Sequence, residues 1–239
     1  MSSLSDLAIP QDADTEEKDV LGGSYILDSG VYEYDIDMAY MVESARGAIG
    51  VNMIFTKGNQ QLKQSFWVRS GNDKGNKTTF TNKAGNEQPL PGMAAINSIV
   101  FLTLGKNQIS ELDTEEKVVK LYSYEAKEEV NTTVDVVTDL LGQKIVLGIM
   151  KNEIDVKQKN DATGNFDTTG RTKFENEVTK VFQAGTNCTV AEVKGREDAQ
   201  FITKWNDKNK GTVRNKVEHK GPVGVSGAPA SAPTTKSLF

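Results

Sequence analysis

One short run of the chain sets a tryptophan between cations. From Leu62 to Arg69 the residues alternate: Leu62, Phe66 and Val68 fall on one side of an extended chain, and Lys63, Ser65, Trp67 and Arg69 on the other. Neighbours on one face of a strand stand about 7 Å apart. Binding single-stranded nucleic acid without reading its sequence needs flat π surfaces for bases and cations along the backbone, and this face carries both. Stacking is worth about 1–3 kcal/mol per base, and each neutralised phosphate adds a salt-dependent term. The competing reading has Trp67 packed under the neighbouring loop and the cations simply solvated. The adjoining loop, Ser70 to Thr79, joins the freedom of Gly71 and Gly75 to Lys74 and Lys77, so it is expected to close over a strand. Lys57 precedes this segment. Lys120, Tyr122 and Tyr124 form a second aromatic and cationic group, while Tyr32, Tyr34 and Tyr40 share a face with Ile36 and Met38 and are expected in the core.

Catalytic arrangements are scarce. The chain has one histidine, His219, and one cysteine, Cys188, so no nucleophile, base and orienting group assemble in the usual way. No CxxC or HExxH spacing for zinc occurs, nor a GxxxxGK[ST] phosphate cradle. The best enzymatic alternative is a metal-dependent nuclease using Asp35 and Asp37, but paired carboxylates on a strand are usually its solvated face. The sequence reads as a binding protein, not an enzyme, with no cofactor and no metal.

The net charge of −5 hides a strong segregation. Residues 1–45 hold eleven carboxylates against Lys18 alone, so the remainder sums to +5. Residues 57–83 carry six cations against Asp73, and Lys208, Lys210, Arg214, Lys216 and Lys220 face only Glu218. A polyanion-binding face requires such segregation. The lone cysteine and the lack of an 18-residue apolar run point to a soluble protein of a reducing compartment that does not enter a membrane.

The elements that must carry these residues follow from periodicity. Strict alternation over Val31 to Tyr40, then over Ile49 to Phe55 and Leu62 to Val68, predicts a three-stranded antiparallel meander, with Lys57-Gly58-Asn59-Gln60 as its second turn. Pro91 and Gly105 bracket an apolar helix. Further strands are expected at Val118 to Tyr124, Val134 to Val137 and Ile145 to Val156, and a long loop over 157–172. Phe174, Val178, Val181 and Phe182 have helical spacing, as do Phe201 and Trp205, with a short strand at Thr189 to Val193 between them. The expected fold is mainly β with a few helices: an OB-like five-stranded barrel with a C-terminal helical extension and a flexible tail. Its boundaries are an acidic arm over 1–21, the binding domain over 22–220, and a Gly/Ala/Pro/Ser tail over 221–239 whose terminal Leu238 and Phe239 would suit capture by a partner.

The segment from Gly30-Val31-Tyr32 through Phe66-Trp67-Val68, the Leu90-Pro91-Gly92 helix start, Glu111 to Lys117, and Val137 to Gly142 together resemble tailed-bacteriophage single-stranded DNA-binding proteins. The resemblance covers roughly residues 8–220. It implies an OB fold and sequence-independent binding of single-stranded DNA in replication, recombination and repair, in the cytoplasm of a bacterial host cell. It also implies that the C-terminal tail, through Phe239, contacts polymerase-type replication or recombination proteins. The oligomer would be a monomer or homodimer. One departure stands out: tails of this family are strongly acidic, whereas Thr234 to Phe239 has no side-chain carboxylate. A virion or assembly protein with a protein-binding β domain, and an RNA-binding module, are the alternatives.

Overall fold

The structure is a computed structural model that describes residues 26–123, 127–160 and 166–218. The acidic arm, Tyr124, His219 and the tail with Leu238 and Phe239 lie outside the described residues. The chain is mainly β. Strands β1 (Gly30–Glu43), β2 (Ile49–Lys57) and β3 (Gln60–Arg69) form the expected antiparallel meander, and the two-residue turn Gly58-Asn59 is opened by a glycine at φ 57°. Two short strands, β4 (Thr79–Thr81) and β5 (Glu87–Pro89), then make a separate hairpin that the sequence reading missed.

Helix α1 runs Pro91–Leu104, as expected, with proline in its first turn and Gly105 closing it at φ 71°. Ile96, Ile99, Val100 and Leu102 are buried against the sheet. Strands β6 (Glu115–Ser123) and β7 (Glu128–Val136) form a hairpin joined to β1 at Tyr40 and Val136. Strand β8 (Lys144–Lys159) pairs with β1 on one side and with β9 (Phe166–Gln183) on the other, giving the order β3-β2-β1-β8-β9. The main core lies inside the curve of this sheet, with Tyr34, Ile36, Val51, Met53, Phe55, Leu147 and Ile149 almost wholly buried beneath α1. Across the sheet's ends the Val178 N–H donates to Gln64 Oε1 at 3.1 Å, so β3 and β9 approach each other.

Several sequence expectations change for physical reasons. The alternation of β1 is not strict, because Asp37 forms a bulge between Ile36 and Met38. Beyond the bulge Ala39 and Met41 face the main core, while Tyr40 turns to the opposite face beside Asn52 and Val136. The residues with helical spacing between Phe174 and Phe182 belong to strand β9. Thr179 is unpaired there, since Ile149 faces Val178 and Gly148 faces Lys180. That extra residue places Val178 and Val181 on one face at a separation of three, which imitates a helical period.

The loop expected over 157–172 is largely paired, with Lys157 opposite Thr168 and Lys159 opposite Phe166. The segment Thr189 to Val193 is a helix start, not a strand: α2 spans Val190–Gly195, with Thr189 and Glu192 in a reciprocal capping box. Helix α3 (Phe201–Asn209) is as expected and drives Trp205 into a second apolar cluster with Val146, Met150 and Phe182. Strand β10 (Val213–Asn215) adds a short parallel pairing to β8. Among the described residues no helix is long and apolar enough to cross a membrane.

Candidate nucleic-acid interface

Strand β3 keeps its expected alternation as far as Trp67, but a register shift then sets Trp67 opposite Gly50 and Arg69 opposite Ile49, so Arg69 leaves the outer row. Leu62, Phe66 and Val68 are buried, while Lys63, Ser65 and Trp67 are exposed on the outer side. Trp67 is 45% exposed, so it is not sealed under the loop. Its indole passes over Gly50 of β2: a Cβ there would stand 3.1 Å from Trp67 Cε3. A glycine opposite the ring leaves room for the indole to lie across the neighbouring strand. In the next row the Ser65 hydroxyl and Asn52 Oδ1 are 2.6 Å apart, and Asn52 Nδ2 donates to the Tyr40 hydroxyl at 3.3 Å. This outer face therefore presents a hydrogen-bonded polar row beside an aromatic one.

Trp67 also forms one rim of a groove of about 1160 Å³. Its floor is the start of α1, including Pro91, Gly92, Ala94 and Ala95. Gly92 sits directly on the Trp67 main chain, which lets the helix start approach β3. The facing wall comes from β9 and the last helices and includes Lys180, Val190 and Phe201. Phe201 is 37% exposed, and the Lys180 ammonium lies 5.1 Å from its ring centre. Trp67 with Arg69 and Lys74, and Phe201 with Lys180, thus both contribute to the lining of one groove.

The third boundary is made by two interlocked loops. The Asn72 N–H donates to the Arg46 carbonyl at 2.8 Å, and Arg46 pairs with Asp73 at 3.4 Å across well-exposed side chains. Arg69 Nη2 donates to the Gly47 carbonyl at 3.3 Å, and its Nε is buried without a partner among the described residues. Arg69 is accordingly a half-buried tie to the β1–β2 turn as well as a groove cation, not the solvated end of a row. Lys74 lines the groove. Lys77 helps close the loop through its main chain, whose N–H donates to Ser70 Oγ at 2.8 Å while its carbonyl accepts from Ser70 N at 2.8 Å.

Trp67, Arg69 and Lys74 therefore meet at one groove, whereas Lys63 and Lys77 do not line it. Lys57 does not join them. It lies in the turn about 24 Å back along β3, seven residues at the rise of a strand, where its ammonium is 5.9 Å from the Tyr32 ring centre. Lys120 and Tyr122 do not join them either. Tyr40 faces Val136, and Val136 faces Glu115, so it is the odd-numbered residues of β6 that share the outer face of the sheet. Lys120 and Tyr122 are exposed on the opposite side of the hairpin.

Two members of the C-terminal basic run are already engaged. Lys216 pairs with Glu177 at 2.8 Å and Arg214 with the same carboxylate at 3.6 Å. Burial pushes the Glu177 carboxyl up, but hydrogen bonds from Lys216 and Asn152 and the two positive charges outweigh it and hold it below its ordinary value. Both acids that line the groove are thus paired with cations, Glu177 with Lys216 and Arg214 and Asp73 with Arg46. Asp35, one half of the nuclease alternative, pairs with Lys144 at 2.9 Å, and Asp37 is the bulge residue.

Arg46, Lys180 and Phe201 were missed in the sequence because they belong to three separate segments. The one available signal was the i, i+4 pair of Phe201 and Trp205, which gave the helix but not its exposed edge. A comparison with protein-family models finds no match, and a comparison with curated proteins finds no significant one.

Proposed function

We propose that this chain binds single-stranded DNA without reading its sequence, and that it is not an enzyme. The observation that carries this reading is the half-exposed Trp67 in the lining of a groove that Arg69, Lys74, Phe201 and Lys180 also line. Bases stack on the rings, and Arg46, Arg69, Lys74 and Lys180 meet the phosphates. Every base has a π face, so such a groove has no means of selecting one. The fold that suits this role is an OB-type barrel. The strand order, the helix between β3 and the returning strands, and the bond from Val178 to Gln64 support that assignment.

The setting we propose is phage DNA replication, recombination and repair in a bacterial cytoplasm, with the tail through Phe239 recruiting polymerase-type partners. A gel-shift series with matched DNA and RNA oligomers, run between about 50 and 200 mM salt, tests the reading. It predicts tight, steeply salt-dependent binding of the DNA strand. Binding of neither oligomer would favour a protein-binding β domain, and preference for RNA would reassign the substrate.

A further inference from the structure

Strand β6 has one free edge. It pairs with β7 along its length, and among the described residues no other strand joins it. It is nine residues long, with no proline or glycine to interrupt it. A long, regular edge exposes a row of unpaired main-chain donors and acceptors and is a template for another strand. Val118, the fourth of its nine residues, is 66% exposed. Exposure of that size on a β-branched residue serves no purpose within the hairpin.

We propose that this edge pairs with the same edge of a second copy of the chain, antiparallel, about a two-fold axis at Val118. The charges along the strand are complementary in that register, with no like charges opposed. With Val118 opposite its own copy, Glu116 stands opposite Lys120 of the partner subunit, and Lys120 opposite the partner's Glu116. Glu116, Val118 and Lys120 lie on one face, so the row reads as two ion pairs around a covered apolar centre.

Two-fold pairing allows only registers centred on a residue, because any other sets side chains of opposite faces against each other. Centring on Lys117 or Lys120 opposes like charges at the axis, centring on Glu116 does the same although it also sets Glu115 against Lys117, and centring on Val119 opposes charges to uncharged residues. Lys120, which deters foreign strands, therefore finds a carboxylate in the self-complementary register. On the other face the pair between Lys117 and Glu115, at 3.2 Å, is left undisturbed.

This interface is independent of the nucleic-acid reading, since β6 is remote in chain order from the groove residues and its charged row faces away from the outer side. Sedimentation velocity of the full chain without nucleic acid, over a concentration series, tests it. The expected result is a dimer weakened by salt, whose β6 amides exchange more slowly as concentration rises. Lys120→Glu should weaken the dimer about tenfold or more, because two attractive pairs become repulsive. Adding Glu116→Lys to that variant should restore it. A monomer at every concentration, a dimer indifferent to Lys120→Glu, or a double variant no better than the single one would each overturn the proposal.

Discussion

Gly92, in the first turn of α1, lies against the main chain of Trp67: a Cβ at Gly92 would meet the Trp67 carbonyl oxygen and stand 2.6 Å from its nitrogen. Main-chain atoms of a residue paired in a strand cannot move aside as a flexible side chain would. Gly92→Ala must therefore push the helix start off β3, at a cost of about 1–3 kcal/mol for overpacking. A lowered urea midpoint together with weakened DNA binding is expected, because the groove floor and Trp67 shift together.

Gly50 gives a cleaner way to move the indole. A Cβ there would stand 3.1 Å from Trp67 Cε3 and 3.3 Å from Val42 Cγ2, both side-chain atoms. Gly50→Val is acceptable to a strand but displaces the ring from its seat. The fold should hold while affinity for an oligothymidylate falls about fivefold or more, a loss at the lower end of one stacked base. Circular dichroism and an anisotropy titration measure the two effects separately.

The cations around the groove are expected to act through phosphates. Each neutralised phosphate contributes about 0.7 to the slope of log affinity against log salt for a single strand. Lys74→Ala and Lys180→Ala, on opposite sides of the groove, should each reduce that slope by about 0.7 and together by about twice as much. Lys57→Ala and Lys120→Ala should leave it unchanged.

Glu192 links the last two helices and fixes the position of Phe201. Its carboxylate accepts from Thr189 N at 2.8 Å, Gln200 N at 2.9 Å and Phe201 N at 2.7 Å. The Thr189 hydrogen bond is the strongest influence; burial opposes it, and the Phe201 and Gln200 bonds add to it, so the carboxyl is lowered to about 2 from an ordinary 4.5. A depressed acid stabilises the fold above its unfolded value and loses that contribution as pH falls through its folded one. The stability advantage of the native chain over Glu192→Gln should be complete above pH about 4.5 and shrink toward pH 2. Urea denaturation at a series of pH values measures it.

Much of strand β3 was legible because strand alternation is a local property. Leu62, Phe66 and Val68 turn inward and Lys63, Ser65 and Trp67 outward as the sequence requires. The helix bounded by Pro91 and Gly105 was legible for the same reason, since both ends are local signals. Failures cluster where one extra residue alters the period. The bulge at Asp37 moved Tyr40 out of the core face, and the bulge at Thr179 made a strand imitate a helix.

The second wall of the groove was invisible for a different reason. Lys180 and Phe201 are twenty-one positions apart in the chain and meet only because β9 and α3 pack together. No periodicity in one segment reports such a meeting. The polar residues 157–159 and 166–172 were read as part of a loop because their pairing, not their composition, makes them extended.

The two tryptophans make the central claim directly measurable. Trp205 is 8% exposed beneath α3, whereas Trp67 is open to solvent, so a ligand in the groove should reach only one of them. Intrinsic fluorescence of the full chain, titrated with an oligothymidylate at low salt, should be quenched as Trp67 stacks. The quench should disappear in Trp67→Phe, which retains a ring and part of the affinity, and binding should be largely lost in Trp67→Ala combined with Arg69→Ala. Undiminished affinity in that double variant, or a quench that persists in Trp67→Phe, would contradict the account.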